Sequence, residues 1–458
     1  MRSFVRRIHF VGIGGVGMSG IAQVLLNLGY EVSGSDLRET EVTHRLKAAG
    51  AKVFAGHRAS NARGAQVVVT SSAVAPANCE VAEARRAGIP VVPRAEMLAE
   101  LCRMKKTVTV AGSHGKTTAT SMAAMALAGA GADPTMIIGG QLANIGSNAR
   151  LGLGEYLVAE ADESDGSFVR LLPLVAVVTN IDSDHLDHYG TLENLKAAFL
   201  EHLHRLPFYG AAVLCADDPN LRSLLPKVER TVLTYGLKAG ADWTAKLLPS
   251  KAAGVRMAVF RRGRRMGELS LKVCGRHNAL NALAAVAVGD FLGFDLKRVF
   301  RGLSDFRGVG RRMERLGEGG GVLFIDDYGH HPTEIRVTLD ALREAYPGRR
   351  VVAVFQPHRF TRTKLLHREF GSAFKKASRV YVMDIYPAGE APLRGVDSGL
   401  IISAARRVRT DARRYCRPMD VLRDLRPGDI VLTIGAGDVW KVGLDLLRRL
   451  SGPTVVSA

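Results

Sequence analysis

The sequence predicts an α/β protein of three domains: an N-terminal Rossmann-like domain, a central P-loop ATPase-like domain, and a C-terminal Rossmann-like parallel sheet. Three observations predict it. A chain of 458 residues is long enough for about three domains. Two glycine-rich loops, at Gly12–Gly17 and Gly112–Gly115, each follow a β-branched apolar run and each open an apolar helix. Beyond residue 310, an apolar strand runs into a polar loop three times. The expected domains are 1–104, 105–310 and 311–458.

The first domain opens on the strand Ile8–Val11. Gly12, Gly14, Gly15 and Gly17 fit G-x-G-x-x-G, and an apolar helix continues to Leu28. A second strand ends at Asp36, about 20 residues after the glycines, the spacing at which an acid can meet a ribose hydroxyl. These residues specify a diphosphate on a helix start. They do not specify the nucleotide, and a nicotinamide dinucleotide is the default reading of such a loop. Strands follow at 51–54 and 66–70. The second ends in Ser71 and Ser72, small hydroxyl residues suited to a phosphate crevice or to an ordinary turn. A short strand at 88–94 and a helix from Ala95 precede the Lys105-Lys106 boundary.

The second loop carries chemistry as well as shape. Val108–Ala111 is a strand, and Gly112, Ser113, His114 and Gly115 form a turn. Lys116, Thr117 and Thr118 open an Ala/Met-rich helix. Loop amides and the helix dipole favour a phosphate there. Lys116 would sit on the terminal phosphates, and the Thr117 hydroxyl would ligate Mg²⁺. The loop is shorter than a standard P-loop, with two residues between its glycines instead of four before Gly-Lys. The next apolar strand, from Tyr156, ends in Glu160, Asp162, Glu163 and Asp165. Buried unpaired acids are costly, so this cluster calls for a cation. A further strand at 174–178 runs into a polar stretch containing Asn180, His185 and His188. Without a helical His-Glu-x-x-His pattern, a second Mg²⁺ or a substrate phosphate suits it better than zinc. Asn278 and Asn281 share one face of a helix start, as a cap or as adenine readers.

In the third domain the strand–loop–helix pattern recurs at 323–333, 351–363 and 430–439. Its loops offer Tyr328, His330, His331, His358, Arg359 and Arg362, a set suited to a carboxylate or phosphate ligand.

The net charge is +19, but aromatics are only 6% and no basic run is interleaved with them. An anionic small substrate and a solvated arginine-rich surface explain the charge better than nucleic acid does. Five dispersed cysteines without metal or redox spacing indicate reduced, buried thiols and a cytoplasmic setting. No uninterrupted apolar stretch reaches about 18 residues, so no membrane insertion is expected. The sequence fits a monomer or a dimer.

Taken in order, these residues resemble the Mur ligases, ATP-dependent amide-forming enzymes of peptidoglycan precursor synthesis. The resemblance spans the whole chain. It rests on Gly112–Thr118, on Glu-Ala-Asp-Glu-Ser-Asp from Glu160, and on Asn-Ile-x-x-Asp-His from Asn180. It rests also on Arg-His-Asn-x-x-Asn from Arg276 and on the pair Arg311-Arg312. The short loop is that family's own form. The first glycine loop, Asp327–Pro332 and Gln356–Arg359 resemble the alanine-adding subgroup, as does Phe199 where later-acting members carry a lysine. The ligase that reattaches a murein tripeptide is the second resemblance.

The resemblance implies ATP and Mg²⁺, with UDP-N-acetylmuramate and L-alanine as substrates joined through an acyl phosphate. The first domain would then hold a UDP-sugar on Gly12, Gly14, Gly15, Gly17, Asp36, Ser71 and Ser72. ATP would lie on residues 112–118, with His277 and Asn281 at adenine and with Asp327, Arg311 and Arg312 on its far side. Thr117, Glu160 and His185 would hold metal. Tyr328, His330, His358, Arg359 and Arg362 would form the amino-acid end. Lys116, His185, Arg359 and Arg362 would be catalytic. Hinges are expected near 104 and 310.

Overall fold

Strands whose two faces are both covered must be apolar at every position, and several runs here have that character. In the computed structural model, which describes residues 1, 4–71, 73–75, 77–250 and 254–451, Val175–Val178, Ala211–Cys215, Val351–Phe355 and Ile430–Ile434 are buried throughout. Burying one such side chain contributes roughly 1.5–3 kcal/mol. The chain forms two compact units. The first comprises residues 1–248, 256–271 and 278–307; the second comprises 249–255, 272–277 and 308–458.

The first unit contains two sheets. One has five strands in the order Lys52–Ala55, Glu31–Asp36, Arg7–Val11, Val67–Thr70, Val91–Pro93, and every pairing is parallel. The order reverses at Arg7–Val11, so the Gly12 loop sits at the switch point where such sheets open a crevice. The helix after the last strand starts at Arg94, one residue earlier than its apolar pattern suggests.

The other sheet runs Arg264–Leu271, Val255–Arg261, Trp243–Leu248, Thr231–Gly236, Ala211–Cys215, Val175–Val178, Lys106–Ala111, Tyr156–Glu160, Thr135–Leu142, Ser147–Arg150. Lys106–Ala111 lies between two parallel neighbours, which brings the ends of Tyr156–Glu160 and Val175–Val178 to the mouth of the Gly112 loop. The strands from Trp243 to Leu271 were not anticipated from the sequence. Their tight turn is Arg262-Gly263, both at positive φ, the geometry of a two-residue hairpin. The helix Lys116–Gly129 packs against Leu296–Asp305 so closely that a Cβ on Gly302 would collide with the Met125 carbonyl, and one on Gly129 with Gly302 itself.

The first two segments also touch. The Asn148 amide donates to the Val16 carbonyl at 2.6 Å. Arg94 Nη2 lies 3.1 Å from Asp162 Oδ2, beside Gly17, where a Cβ would stand 2.5 Å from Arg94 Nη1.

The second unit holds a six-stranded sheet: Glu314–Gly319, Val322–Asp327, Ile430–Ile434, Val351–Phe355, Arg379–Val382, Ala412–Arg414. Strand alternation divides its core. Val351, Ala353 and Phe355 pack with Leu339 and Phe370 on one face, and Val352 and Val354 pack with Val439 and Leu446 on the other. Among the described residues, no helix is long and apolar enough to cross a membrane.

Candidate active site

At the first glycine loop, Gly12 takes φ +80°, a conformation that suits glycine. Asp36 is turned inward: its Oδ2 accepts from the Gly14 N–H at 2.9 Å and its Oδ1 from the Arg38 N–H at 3.3 Å. The acid expected at a ribose therefore also holds the loop. Ser71, just past the strand that ends at Thr70, is half-buried, and Ser72 lies outside the described residues. Behind the loop, Glu80 is fully buried. It accepts from Ser35 Oγ at 2.5 Å, Asn61 Nδ2 at 2.6 Å and the Arg58 N–H at 3.1 Å, with His9 Nε2 at 3.3 Å. Burial alone would raise this carboxyl, but those donors outweigh it and hold it down at about 2.

At the second loop, Gly112 and Gly115 have φ +129° and +81°. Asn180 ties the turn, accepting from the His114 N–H at 2.9 Å and donating to the His114 carbonyl at 2.9 Å. The His114 ring lies 3.0 Å from Asp182. Thr117 is buried in the first helical turn, and Thr118 is half-exposed. Lys116 folds back over the loop. Its Nζ donates to the Gly112 carbonyl at 2.7 Å and to Glu163 Oε1 at 2.7 Å. Burial would lower this ammonium, but Glu163, Asp162 and Glu160 together hold it above its ordinary value.

Glu163 is the residue that the sequence left undistinguished within its acidic cluster. It is fully buried, and its Oε2 has no hydrogen-bond donor among the described residues. Burial, reinforced by Asp162, pushes its carboxyl up despite Lys116. His185, at φ +56°, brings Nε2 within 3.7 Å of Glu163 Oε1. Glu160 Oε2 accepts from the Gly139 N–H at 2.9 Å. At this loop the Glu160 carboxylate, the buried Thr117 hydroxyl and His185 are the hard-oxygen and imidazole donors that suit a divalent cation, and the undonated Glu163 Oε2 leaves buried negative charge there for a cation to offset. Asn281 lies beside Gly115, where a Cβ would stand 3.3 Å from Asn281 Oδ1, and it donates to Asn278 at 3.3 Å.

His277 belongs to the second unit; burial, then Arg312, lowers it to about 4. The two arginines of the pair differ. Arg311 donates to Asp326 at 2.9 Å and to the carbonyls of Gly437 and Gly435 at 2.9 and 2.6 Å, so its donors are committed within the unit. Arg312 lies over the Tyr328 ring at 5.0 Å. Asp327 accepts from the Gly329 and Met313 N–H groups, both at 2.8 Å. Burial dominates and raises its carboxyl to about 6. His330 and Glu334 lie 3.5 Å apart. The rings of Tyr328, His330 and His358 form a row with centroid spacings of 5.5 and 5.8 Å. Burial, then Arg362 and Arg359, lowers His358 to about 4. Arg359 takes φ +71° and caps the helix Phe360–Ala373, whose first turns carry Arg362. Tyr386, absent from the expected set, stacks on His358.

Three family models match the chain: the Mur ligase catalytic domain at residues 7–106, the Mur ligase middle domain at 110–289, and the Mur ligase glutamate ligase domain at 311–437. Among curated relatives, the UDP-N-acetylmuramate–L-alanine ligase of Geobacter sp. (strain M21) is 51% identical, covering 97% of this chain and 98% of the relative. The ligase of that name from Anaeromyxobacter sp. (strain Fw109-5) is 52% identical, covering 98% and 99%. Among solved structures, the UDP-N-acetylmuramate–alanine ligase of Thermotoga maritima matches with TM-score 0.82 at 32% identity, covering 97% of this chain and 98% of that one. A murein peptide ligase of Psychrobacter arcticus matches in fold, with TM-score 0.72 at 24% identity, covering 98% and 100%.

Proposed function

We propose, from the premise that this chain belongs to the Mur ligase family, that it joins L-alanine to the carboxylate of UDP-N-acetylmuramate with cleavage of ATP to ADP and phosphate. The observation that carries this is identity of about one half, sustained over nearly the whole chain, with curated ligases of that activity.

A carboxylate is a poor electrophile. Its attack on the γ-phosphorus of ATP gives an acyl phosphate and ADP. The amine of alanine then attacks the acyl carbon, and phosphate leaves. Both steps concentrate negative charge, so stabilisation must be electrostatic. Residues 112–118 cradle the triphosphate on backbone amides, with Lys116 on the γ-phosphate. Glu163 holds that ammonium protonated and aimed. Thr117, Glu160 and His185 would hold Mg²⁺, which neutralises phosphate charge when bound. Asn281 and His277 serve the adenine, and Asp327 and Arg312 the far side of the nucleotide. Gly12, Gly14, Gly15, Gly17, Asp36, Ser71 and Ser72 serve the UDP-sugar. Tyr328, His330, His358, Arg359 and Arg362 receive alanine, whose carboxylate an arginine fork can bind through two hydrogen bonds. A cytoplasmic location goes with this chemistry and is supported by five free cysteines, although Cys79 and Cys416 are exposed and not buried as expected.

The test is phosphate release from ATP and Mg²⁺ with UDP-N-acetylmuramate, adding L-alanine or a murein tripeptide in turn. Release that needs both the sugar nucleotide and alanine is expected. Release with tripeptide but not alanine would make the chain the cell-wall recycling ligase, and indifference to the sugar nucleotide would sink the assignment of the first loop.

A further inference from the structure

Tyr386 lies on the segment that follows the strand Arg379–Val382, where no sequence motif marks it. Its ring stacks on His358 with centroids 5.6 Å apart and planes 11° from parallel. His358 Nδ1 is buried without a hydrogen-bond partner, so packing between the rings sets that part of its orientation. The Tyr386 backbone is fixed on both sides. Its N–H donates to the Pro357 carbonyl at 2.8 Å, and its carbonyl accepts from the Arg359 N–H at 2.9 Å. Four residues on, Glu390 accepts from the Thr361 N–H at 3.1 Å and from the Thr361 hydroxyl at 2.6 Å, tying the same segment to the start of the arginine-bearing helix. Opposite the ring stands Gly437, where a Cβ would come within 2.9 Å of Tyr386. The ring is nonetheless 38% exposed. Tyr386 thus stands against His358 and Arg359 without being part of the core.

We propose that Tyr386 is a specificity-determining residue: its ring, stacked on His358, walls the amino-acid pocket and limits the incoming side chain to about the size of a methyl group. This rests on assigning the amino-acid end to His358, Arg359 and Arg362. A ring stacked on His358 and close against Gly437 has little room to turn aside, so a larger amino acid meets overlap and not a soft loop. None of the restraints acts through the phenol hydroxyl. The ring face is what selects.

The experiment compares kcat/KM for L-alanine, L-2-aminobutyrate and L-valine in the wild-type chain, Tyr386→Phe and Tyr386→Ala, each with saturating ATP and UDP-N-acetylmuramate. One or two methylenes in a close-fitting pocket are worth about 10–200-fold. Tyr386→Ala is therefore expected to lower the alanine-to-valine ratio by at least about 30-fold, through a gain for valine, while Tyr386→Phe holds that ratio within about twofold. A parallel fall for all three amino acids in Tyr386→Ala would overturn the proposal, because it would mean the ring only supports His358. Loss of selectivity in Tyr386→Phe would overturn it equally. The underlying assignment fails separately: an alanine KM that ignores Arg362→Ala would remove the amino-acid end from this loop whatever Tyr386 does.

Discussion

Two glutamates, Glu80 and Glu163, are both fully buried beneath a glycine loop, yet their environments are opposite. Glu80 is surrounded by donors from Ser35, Asn61, His9 and the Arg58 backbone, and its carboxyl is held near 2. Glu163 has Lys116 on one oxygen and no donor on the other, and its carboxyl is pushed up. A buried charge whose hydrogen bonds are complete stiffens a fold. One left incomplete is costly unless a ligand completes it. The first loop thus sits on a finished support, and the second on a support that awaits a partner.

The contrast can be broken at four points. The largest effect is expected from Lys116→Ala, which should slow acyl-phosphate formation at least about 10³-fold while leaving UDP-sugar affinity nearly intact. Single-turnover ADP formation beside a UDP-sugar binding titration checks this, and equal losses in both would erase the division between the loops. Glu80→Ala strands several buried donors and should cost about 3 kcal/mol of stability, read from the denaturant midpoint. The pH dependence has a definite sign. Glu80 is lower in the folded chain, at about 2, than its ordinary 4.5. Its contribution is therefore complete above pH 4.5 and lost as pH falls toward 2, on the order of 3 kcal/mol in all. In Glu80→Gln this part of the acid sensitivity should disappear. Glu163→Gln should slow the acyl-phosphate step about 100-fold with little change in stability. A variant that instead unfolds at ordinary temperature would make Glu163 a second Glu80. The smallest effect is expected from Asp36→Ala, which frees the Gly14 N–H and should weaken UDP-sugar binding about fivefold, or ~1 kcal/mol.

Much of this was legible in the sequence because it depends on local pattern. Strand, glycine turn and helix at 7–27 and 106–129 follow from apolar runs and from glycines at positive φ. The polar tips of the strands ending at Asp327 and Phe355 were legible for the same reason. Other features depend on which strands become neighbours. Glu163 and Glu160 are equivalent as acids in a row. Only the pairing of Lys106–Ala111 with Tyr156–Glu160 sends one to Lys116 and the other to the Gly139 amide. The inward turn of Asp36 depends on where Gly14 comes to lie. Arg311 and Arg312 look interchangeable until one is seen bound to Asp326 and two carbonyls. Tyr386 carried no local signal, because its role is set by a bridge to Pro357 and Arg359, nearly 30 residues earlier.

The contact between Gly129 and Gly302 has a mechanical consequence. Two helices that meet backbone to backbone have no side-chain cushion between them, and the one that begins at Lys116 cannot slide or tilt without collision. The Gly112 loop is therefore backed by an anvil: a helix with little give of its own. A side chain added at either glycine would displace the helix that begins at Lys116, so a change far from that lysine would be felt at it.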